Sequence, residues 1–267
     1  MVTPNTVTIL AIGDVMGAPG REVLKKHLEF AREQHHIDAV IANGENAAGG
    51  FGLTVQTAEE MFAAGVDFIT SGNHIWDKRE FRPALDESDR ILRPANYPEA
   101  LPGRGSGTFA ANGVTIGVVN VMGRVFMPTV DDPFRAARTL VDELREVTKV
   151  IVVDVHAEAT SEKMALARFL DGAVSWVWGT HTHVQTSDEQ IFAGGTAYLT
   201  DLGMTGPSDG VIGMESTAVL ERFTNAVSER FAVQKTGTRQ FCAAVATIDV
   251  ATGHALDIKR INLRGLA

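Results

Sequence analysis

Short apolar runs alternate with amphipathic segments in the N-terminal part of the chain. Three runs, at residues 7–13, 38–43 and 66–70, have the length and the β-branched content of buried strands. Between them, residues 21–33 and 55–64 carry apolar side chains at helical spacing, and Thr54 is a candidate N-cap for the second helix. This order predicts successive βαβ units and a parallel sheet.

The remainder of the chain adds antiparallel strands to this pattern. Asn112-Gly113 separates two alternating runs and predicts a hairpin, and Thr252-Gly253 predicts a second one near the end of the chain. Between the hairpins we expect a helix over 133–146, a strand over 149–155, a helix that Ser161 opens as its N-cap, and a strand over 174–178. We therefore expect two packed mixed sheets with helices outside, in a single domain of 267 residues.

Polar side chains that can bind metals follow five of the predicted strands. In open α/β sheets, ligands bind beyond the carboxyl ends of the strands, so we expect these side chains to converge on one crevice. They are Asp14, Glu45, Asn46, Asn73, His74, His156, His181 and His183.

Taken singly, each of these residues has a simpler interpretation. Asp14 or Asn73 alone is typical of a turn or a cap, and a lone histidine after a strand is usually a hydrogen-bonded one. His181 and His183 are stronger candidates, because alternate residues of an extended segment point to the same side. A phosphate-binding glycine loop is a further interpretation of GDVMGAPGR, but this stretch lacks the GKS or GKT ending of such loops. The metal hypothesis depends on the coincidence of all these positions.

The candidate ligands are too numerous for one ion. Two carboxylates, two amide oxygens and three imidazoles suit two ions that share a carboxylate. Mixed nitrogen and oxygen donors suit iron, manganese, zinc or cobalt better than magnesium or calcium, and we favour iron or manganese, divalent or trivalent, with zinc or cobalt as alternatives. Two such cations acidify a bridging water and stabilise displacement at phosphorus, so hydrolysis of a phosphate ester is the expected reaction. His74 is left over, and it could protonate the departing alkoxide or donate a hydrogen bond to the transition-state oxygens.

Charge and composition restrict the partners. A formal net charge of −9 disfavours a long nucleic acid but allows a small anionic substrate beside bound metal ions. The single cysteine, Cys242, excludes a thiolate-rich zinc site. The N-terminus lacks a basic region followed by an uninterrupted apolar run, so we expect no signal peptide, no membrane anchor and a cytoplasmic location.

The motifs at the strand ends resemble those of the calcineurin-like metallophosphoesterases. GD at 13–14, GEN at 44–46, GNH at 72–74, His156 and GTHTH at 179–183 occur in that family's order over roughly residues 8–205. GENAAGGFGLT at 44–54, SGNHIWD at 71–77, DVHAEATSEK at 154–163 and TDLGMTGP at 200–207 are similar, more narrowly, to the bacterial YmdB-like branch. Members of that branch are described as cyclic-nucleotide phosphodiesterases.

This resemblance implies a fold and a role for each matching residue. The fold is a four-layer α/β/β/α sandwich of two mixed sheets, the metallo-dependent phosphatase fold. The implied roles are the first metal for Asp14 and His183, the second metal for Asn73, His156 and His181, the bridge for Glu45, and the catalytic histidine for His74.

One position departs from the broader family. That family reads Asp-x-His in its first motif, whereas this chain has Asp14-Val15-Met16. A thioether prefers soft metals, so Met16 is a poor substitute for the missing histidine. Asn46, next to the bridging Glu45, is our candidate replacement.

Three functions are compatible with these residues. The preferred one is hydrolysis of a small phosphodiester, a 2′,3′-cyclic or 3′,5′-cyclic nucleotide. A phosphomonoesterase such as a nucleotidase would use the same centre, and a regulatory protein would bind a nucleotide there with little turnover. A homo-oligomer is compatible with the sequence, since symmetric assemblies are common.

Overall fold

Two β-sheets form the centre of the computed structural model, which describes residues 5–225 and 230–267. In chain order the strands are β1 (Thr6–Ile12), β2 (Asp14–Val15), β3 (Ala39–Asn43), β4 (Phe68–Thr70), β5 (Ser106–Ala111), β6 (Val114–Met122), β7 (Ile151–His156), β8 (Trp176–Thr180), β9 (Gln190–Ile191), β10 (Ala197–Leu199), β11 (Met204–Pro207), β12 (Arg239–Asp249) and β13 (Ala255–Leu266). The α-helices are α1 (Gly17–Gln34), α2 (Val55–Ala63), α3 (Arg82–Glu87), α4 (Pro133–Arg145), α5 (Thr160–Phe169) and α6 (Ser216–Asn225).

Both sheets mix parallel and antiparallel neighbours. The first has the order β2-β11-β12-β1-β3-β4, with β13 also paired to β12. The second has the order β5-β6-β7-β8-β10-β9. The parallel pairs β1–β3, β3–β4, β6–β7 and β7–β8 align the carboxyl ends of the strands that carry the candidate ligands.

Alternation along the strands produces the layers. In β1, Ile9 and Ala11 pack between the two sheets, while Leu10 and Ile12 pack against α1 and α2. The second sheet behaves in the same way, since Trp176 faces the first sheet and Val177 faces the outer helices α4 and α5. This is the period of two that a sheet buried on both faces requires. The four-layer α/β/β/α sandwich is confirmed.

Most of the predicted elements are present, with differences at helix starts. Both hairpins are confirmed, and Asn112 and Gly113 have φ values of 49° and 77°, as a two-residue I′ turn requires. Thr54 caps α2 as expected. The expectation that Ser161 is an N-cap is wrong: α5 begins at Thr160, and its N-cap Ala159 makes no side-chain capping bond.

No helix within residues 5–225 or 230–267 combines the length and the apolar character needed to span a membrane.

Candidate metal centre

The candidate ligands from the two sheets meet at one edge of the sandwich. The first sheet contributes the residues that follow β1, β3 and β4, and the second contributes the end of β7 and the residues that follow β8. The convergence that the sequence predicted is therefore present. A cavity of about 520 Å³ opens at this edge, and the predicted site residues that line it are Glu45, Asn46, His74, His181 and His183.

Four polar atoms crowd together at the bottom of this site. His156 Nε2 lies 3.2 Å from Glu45 Oε1, 3.0 Å from Asn73 Oδ1 and 3.1 Å from His181 Nδ1. Glu45, His156 and His181 form the group of side chains that is close enough to share one ion. The Asn73 amide oxygen joins this group through its contact with His156.

Hydrogen bonds behind His156 decide which of its nitrogens faces the site. The Thr180 hydroxyl donates to Asp154 Oδ1 at 2.7 Å, so its oxygen accepts from His156 Nδ1 at 2.9 Å. A hydroxyl has only one hydrogen to donate, so the proton of neutral His156 is on Nδ1. Only in this neutral form does the lone pair of Nε2 point at Glu45 and Asn73.

His181 is oriented from the opposite side. Its Nε2 lies 3.3 Å from Glu158 Oε2, and its Nδ1 faces His156. A nearby carboxylate favours the tautomer with the proton on Nε2, which leaves the lone pair of Nδ1 free to bind a metal. Carboxylates placed behind a histidine in this way fix the tautomer of metal-binding imidazoles.

Asp14 and His183 form a second part of the site. His183 Nδ1 donates to the Ile212 carbonyl at 2.8 Å, which leaves Nε2 free and 3.8 Å from Asp14 Oδ1. Asp14 Oδ2 accepts from the His181 backbone N–H at 3.2 Å, but Oδ1 is buried without a hydrogen-bond partner. An unpartnered carboxylate oxygen is costly unless a cation compensates it.

Asn46 presents its amide oxygen in the same way. Its Nδ2 donates to the Gly50 carbonyl at 3.0 Å, and its Oδ1 is buried without a partner. Met16 instead packs in a small apolar cluster with Met204, Met214 and others. Asn46 thus has the free oxygen that a ligand needs, while the thioether of Met16 lies among apolar side chains.

Burial and neighbouring charges shift the pKa values of several side chains in this site. Burial raises the pKa of Asp14 from 3.8 to about 6. Burial also acts to raise the pKa of Glu45, but attraction and hydrogen bonding from His156 outweigh it and lower the value to about 2. Burial depresses the pKa of His181 to about 3 and so keeps this imidazole neutral. Burial lowers the pKa of His156, but attraction from Glu45 and the hydrogen bond to it outweigh burial and raise the value to about 9, so this ring is protonated when no cation is bound. Neutral imidazoles and ionised carboxylates are the forms that bind metals, so an ion would replace the Nε2 proton of His156.

These observations pass a chemical test for a metal centre. Glu45 Oε1, Asn73 Oδ1 and His181 Nδ1 surround His156 Nε2 and are all acceptors, so a positive charge must lie between them: a proton on His156 in the absence of a cation, or a bound cation in its place. In the other part of the site, the unpartnered oxygens of Asp14 and Asn46 also require a positive charge nearby. The donor set of nitrogen and oxygen atoms therefore fits transition-metal binding.

His74 stands beside the ligands rather than among them. Its Nδ1 is hydrogen-bonded to Asp77 Oδ2 at 2.9 Å, its ring meets Phe51 edge-on with centroids 5.0 Å apart, and its backbone N–H donates to Glu45 Oε2 at 3.1 Å. A ring held at Nδ1 by a carboxylate keeps Nε2 for proton transfer.

Two devices hold the loops that carry the ligands. Lys163 Nζ bonds Asp201 Oδ2 at 2.6 Å, both groups are buried, and the same carboxylate oxygen accepts from the Thr182 hydroxyl between the two histidines. Gly72 precedes Asn73 at a point where a Cβ would collide with His156 and Glu45, so only glycine fits there.

His181 and His183 have unusual backbone conformations. Their φ values are 98° and 64°, in the region that residues other than glycine rarely adopt. Strain of this kind persists only where the surrounding contacts enforce it, and it concentrates at functional sites.

Several residues behind the ligands were not predicted. Asp77, Asp154, Glu158, Thr180, Lys163 and Asp201 all lie within the motifs that carried the family resemblance, or beside them. Their membership in those motifs was the available signal. Their partners could not be read from the sequence. Most of these residues contact a side chain that is distant in the chain, as Asp201 contacts Lys163, and Asp77 meets the His74 ring only through the way the loop folds.

Comparison with known proteins agrees with this geometry. The sequence model of the family described as YmdB-like protein matches residues 10–261. A Bacillus subtilis (strain 168) protein named 2′,3′-cyclic-nucleotide 2′-phosphodiesterase is 46% identical over 253 residues, which cover 95% of this chain and 96% of that protein.

Two solved structures share the fold over nearly the whole chain. A hypothetical protein from Thermus thermophilus has a TM-score of 0.90 at 43% identity and covers 97% of this chain and 100% of its own. A structure described as a novel phosphatase from Mycoplasma pneumoniae has a TM-score of 0.91 at 33% identity, covering 97% of this chain and 94% of its own.

Proposed function

The chain belongs to the YmdB-like protein family, and from this premise we propose that it is a metal-dependent phosphoric ester hydrolase that cleaves 2′,3′-cyclic nucleotides. The observation that carries the proposal is the convergence of Glu45, Asn73, His156 and His181 on one point. The name of the Bacillus subtilis relative favours the 2′,3′-cyclic over the 3′,5′-cyclic nucleotide.

Two ions would be held by ligands from both sheets, in the division that the geometry supports. Asp14, Asn46 and His183 would hold the first, Asn73, His156 and His181 the second, and Glu45 would bridge. When bound, such ions supply an acidified water as nucleophile and neutralise charge on the phosphoryl oxygens.

We assign the transfer of a proton to the leaving group to His74. Its ring lines the cavity beside Glu45, and Asp77 fixes the ring through a hydrogen bond with Nδ1. Nε2 then carries the proton for the departing ribose oxygen, which is a poor leaving group without it. Phe51 restricts the ring to this orientation.

Replacement of His74 tests this role. In His74→Ala we expect kcat for adenosine 2′,3′-cyclic phosphate to fall by roughly 10²- to 10⁴-fold, the usual contribution of a general acid. The kcat for bis(p-nitrophenyl) phosphate should fall much less, because its p-nitrophenolate group leaves without protonation. Metal analysis of the variant should show unchanged occupancy, because His74 is not among the ligands.

A matched control is His254→Ala, which removes an exposed imidazole in the turn between β12 and β13. This variant should retain wild-type kinetics. Equal losses on both substrates in His74→Ala would show that His74 does not act as an acid.

Phosphomonoester hydrolysis is the second candidate, because the Mycoplasma pneumoniae structure is described as a phosphatase. Rates on adenosine 3′-monophosphate and on the 2′,3′-cyclic phosphate decide between the two.

A further inference from the structure

The cavity at the candidate metal centre has a polar end and an apolar end. The polar end consists of the site residues described above. The apolar end is defined by Phe51, Ile212, Met214, Val219, Phe223 and Phe231, and we call it the apolar compartment. The total volume of about 520 Å³ lies in the range of pockets that hold small molecules.

The apolar compartment is a built feature rather than a gap between loops. Met214 and Val219 are buried in a cluster with Met16 and Val233, and Phe51 and Phe231 pack against that cluster. The compartment is continuous with the site, because Phe51 contacts the His74 ring at 5.0 Å between centroids.

Hydrogen-bonding side chains are scarce in this compartment. Within residues 5–225 and 230–267, Arg222 is the one charged or polar side chain that lines the cavity outside the predicted site residues. Its guanidinium lies 5.3 Å from the centroid of Phe231, in cation–π geometry. Aromatic faces and thioethers therefore dominate the surface that a ligand would meet.

We propose that the apolar compartment holds the nucleobase of the substrate and grips it by stacking and shape, without reading its hydrogen-bonding edge. The inference rests on the proposed function, since it places the phosphate at the metal end of the same cavity. Every base has an aromatic face, so stacking on Phe231 and Phe223 accepts purines and pyrimidines alike. The base supplies binding, and its identity matters little.

Three substrates and two variants test this inference. The substrates are adenosine 2′,3′-cyclic phosphate, uridine 2′,3′-cyclic phosphate and glycerol 1,2-cyclic phosphate, which has the reactive ring without a base. In Phe231→Ala and Phe223→Ala we expect KM for both nucleotides to rise by about 5- to 100-fold, as loss of one stacking partner does. In both variants the KM for glycerol 1,2-cyclic phosphate should stay unchanged.

Phe223→Ala should fold like the wild type, because Phe223 is 83% exposed and its removal leaves no cavity in the core. Phe30→Ala is the matched control, an exposed phenylalanine on α1 that should have wild-type KM values. Equal effects on the base-free substrate, or no effect on any substrate, would overturn the inference.

A binding measurement separates this inference from the proposed function. Calorimetric titration with adenosine 3′-monophosphate needs no turnover. Weaker binding by Phe231→Ala supports the apolar compartment as the base site even in a protein that hydrolyses none of the three substrates. Such inactivity would refute the proposed function alone, whereas unchanged affinity would refute the base site.

Discussion

At the scale of single residues, each histidine of the candidate centre has one ring nitrogen held by an oxygen and one left free. Thr180 holds His156 at Nδ1, Glu158 holds His181 at Nε2, and the Ile212 carbonyl holds His183 at Nδ1. The other nitrogens of His156 and His183 face Glu45 and Asp14, and that of His181 faces His156. The orientations of the rings are therefore set before any ligand arrives, which lowers the cost of assembling the site.

Asp14 should destabilise the protein when no cation is bound. Burial raises its pKa from 3.8 to about 6, so the folded state favours the neutral carboxyl. Well below pH 3.8 the carboxyl is neutral in both the folded and the unfolded state, so it does not lower the free energy of unfolding. The loss of stability grows as the pH rises to 6 and reaches roughly 3 kcal/mol above that. We expect Asp14→Asn, stripped of metal with EDTA, to be more stable than the wild type at pH 7.5 in urea unfolding.

The pH dependence checks the cause. The stability gain of Asp14→Asn should shrink as the pH is lowered from 6 towards 4, because the wild-type carboxyl then becomes neutral on its own. A gain that is the same at every pH would mean that the carboxylate charge is not responsible. With metal present the order should reverse, since the variant has lost a ligand.

The identities of the candidate ligands were predictable from the sequence because the strands are short and each is followed at once by a polar residue. The residues behind them were not. Glu158 lies two positions after His156 but contacts His181, and Asp201 reaches Lys163 across the second sheet. Contacts of this kind depend on how loops pack, and no periodicity records them.

At the scale of elements, two hydroxyl residues near helix starts behave differently. Thr54 accepts from the Thr57 backbone N–H, and the Thr57 hydroxyl accepts from the Thr54 N–H, so α2 begins with a reciprocal cap. Ser161 lies one residue inside α5 and caps nothing. A start signal in the sequence is therefore informative only where the backbone before it is extended, and a single sequence does not fix that to one residue.

The two residues form a matched pair for mutation. We expect Thr54→Ala to lower the free energy of unfolding by about 1 kcal/mol, the usual value of an N-cap, and Thr54→Ser to restore most of it. Ser161→Ala should change the stability by less than about 0.5 kcal/mol. Thermal unfolding measures both, and equal losses would contradict the assigned helix start.

At the scale of the whole molecule, the candidate centre joins the two sheets. Asp14, Glu45 and Asn73 come from the first sheet, and His156 and His181 from the second. Just below them, Asp154 in β7 accepts hydrogen bonds from Thr70 at 2.5 Å and Asn43 at 3.2 Å across the interface. Ions bound here would add to the forces that hold the sheets together.

Removal of metal should therefore lower the thermal stability. A ligand present at a hundred times its Kd stabilises the folded state by about 2.7 kcal/mol. For a chain of this length we expect EDTA to lower the Tm by roughly 5–10 °C, and added manganese or iron to restore it. His74→Ala should respond like the wild type and Asp14→Asn much less. An unchanged Tm after verified metal loss would contradict the bridging role.

The general architecture could be predicted, while the membership of each sheet could not. Alternation and turn residues predicted the strands and both hairpins locally. The four layers followed from the family resemblance. That β12 lies between β1 and β11 is a pairing between the two ends of the chain, and it leaves no local signal. That all 267 residues form one domain stays a prediction.

The position of β12 also bears on how the protein is made. Residues 243–249 of β12 pair along the whole length of β1, although β1 is synthesised long before β12. The first sheet cannot close until β12 has been synthesised, and the edge of β1 stays unpaired on that side until then. Asp14, at the tip of this half-finished sheet, reaches its final place only after β12 has been made, so any ion that Asp14 binds would be loaded after that point.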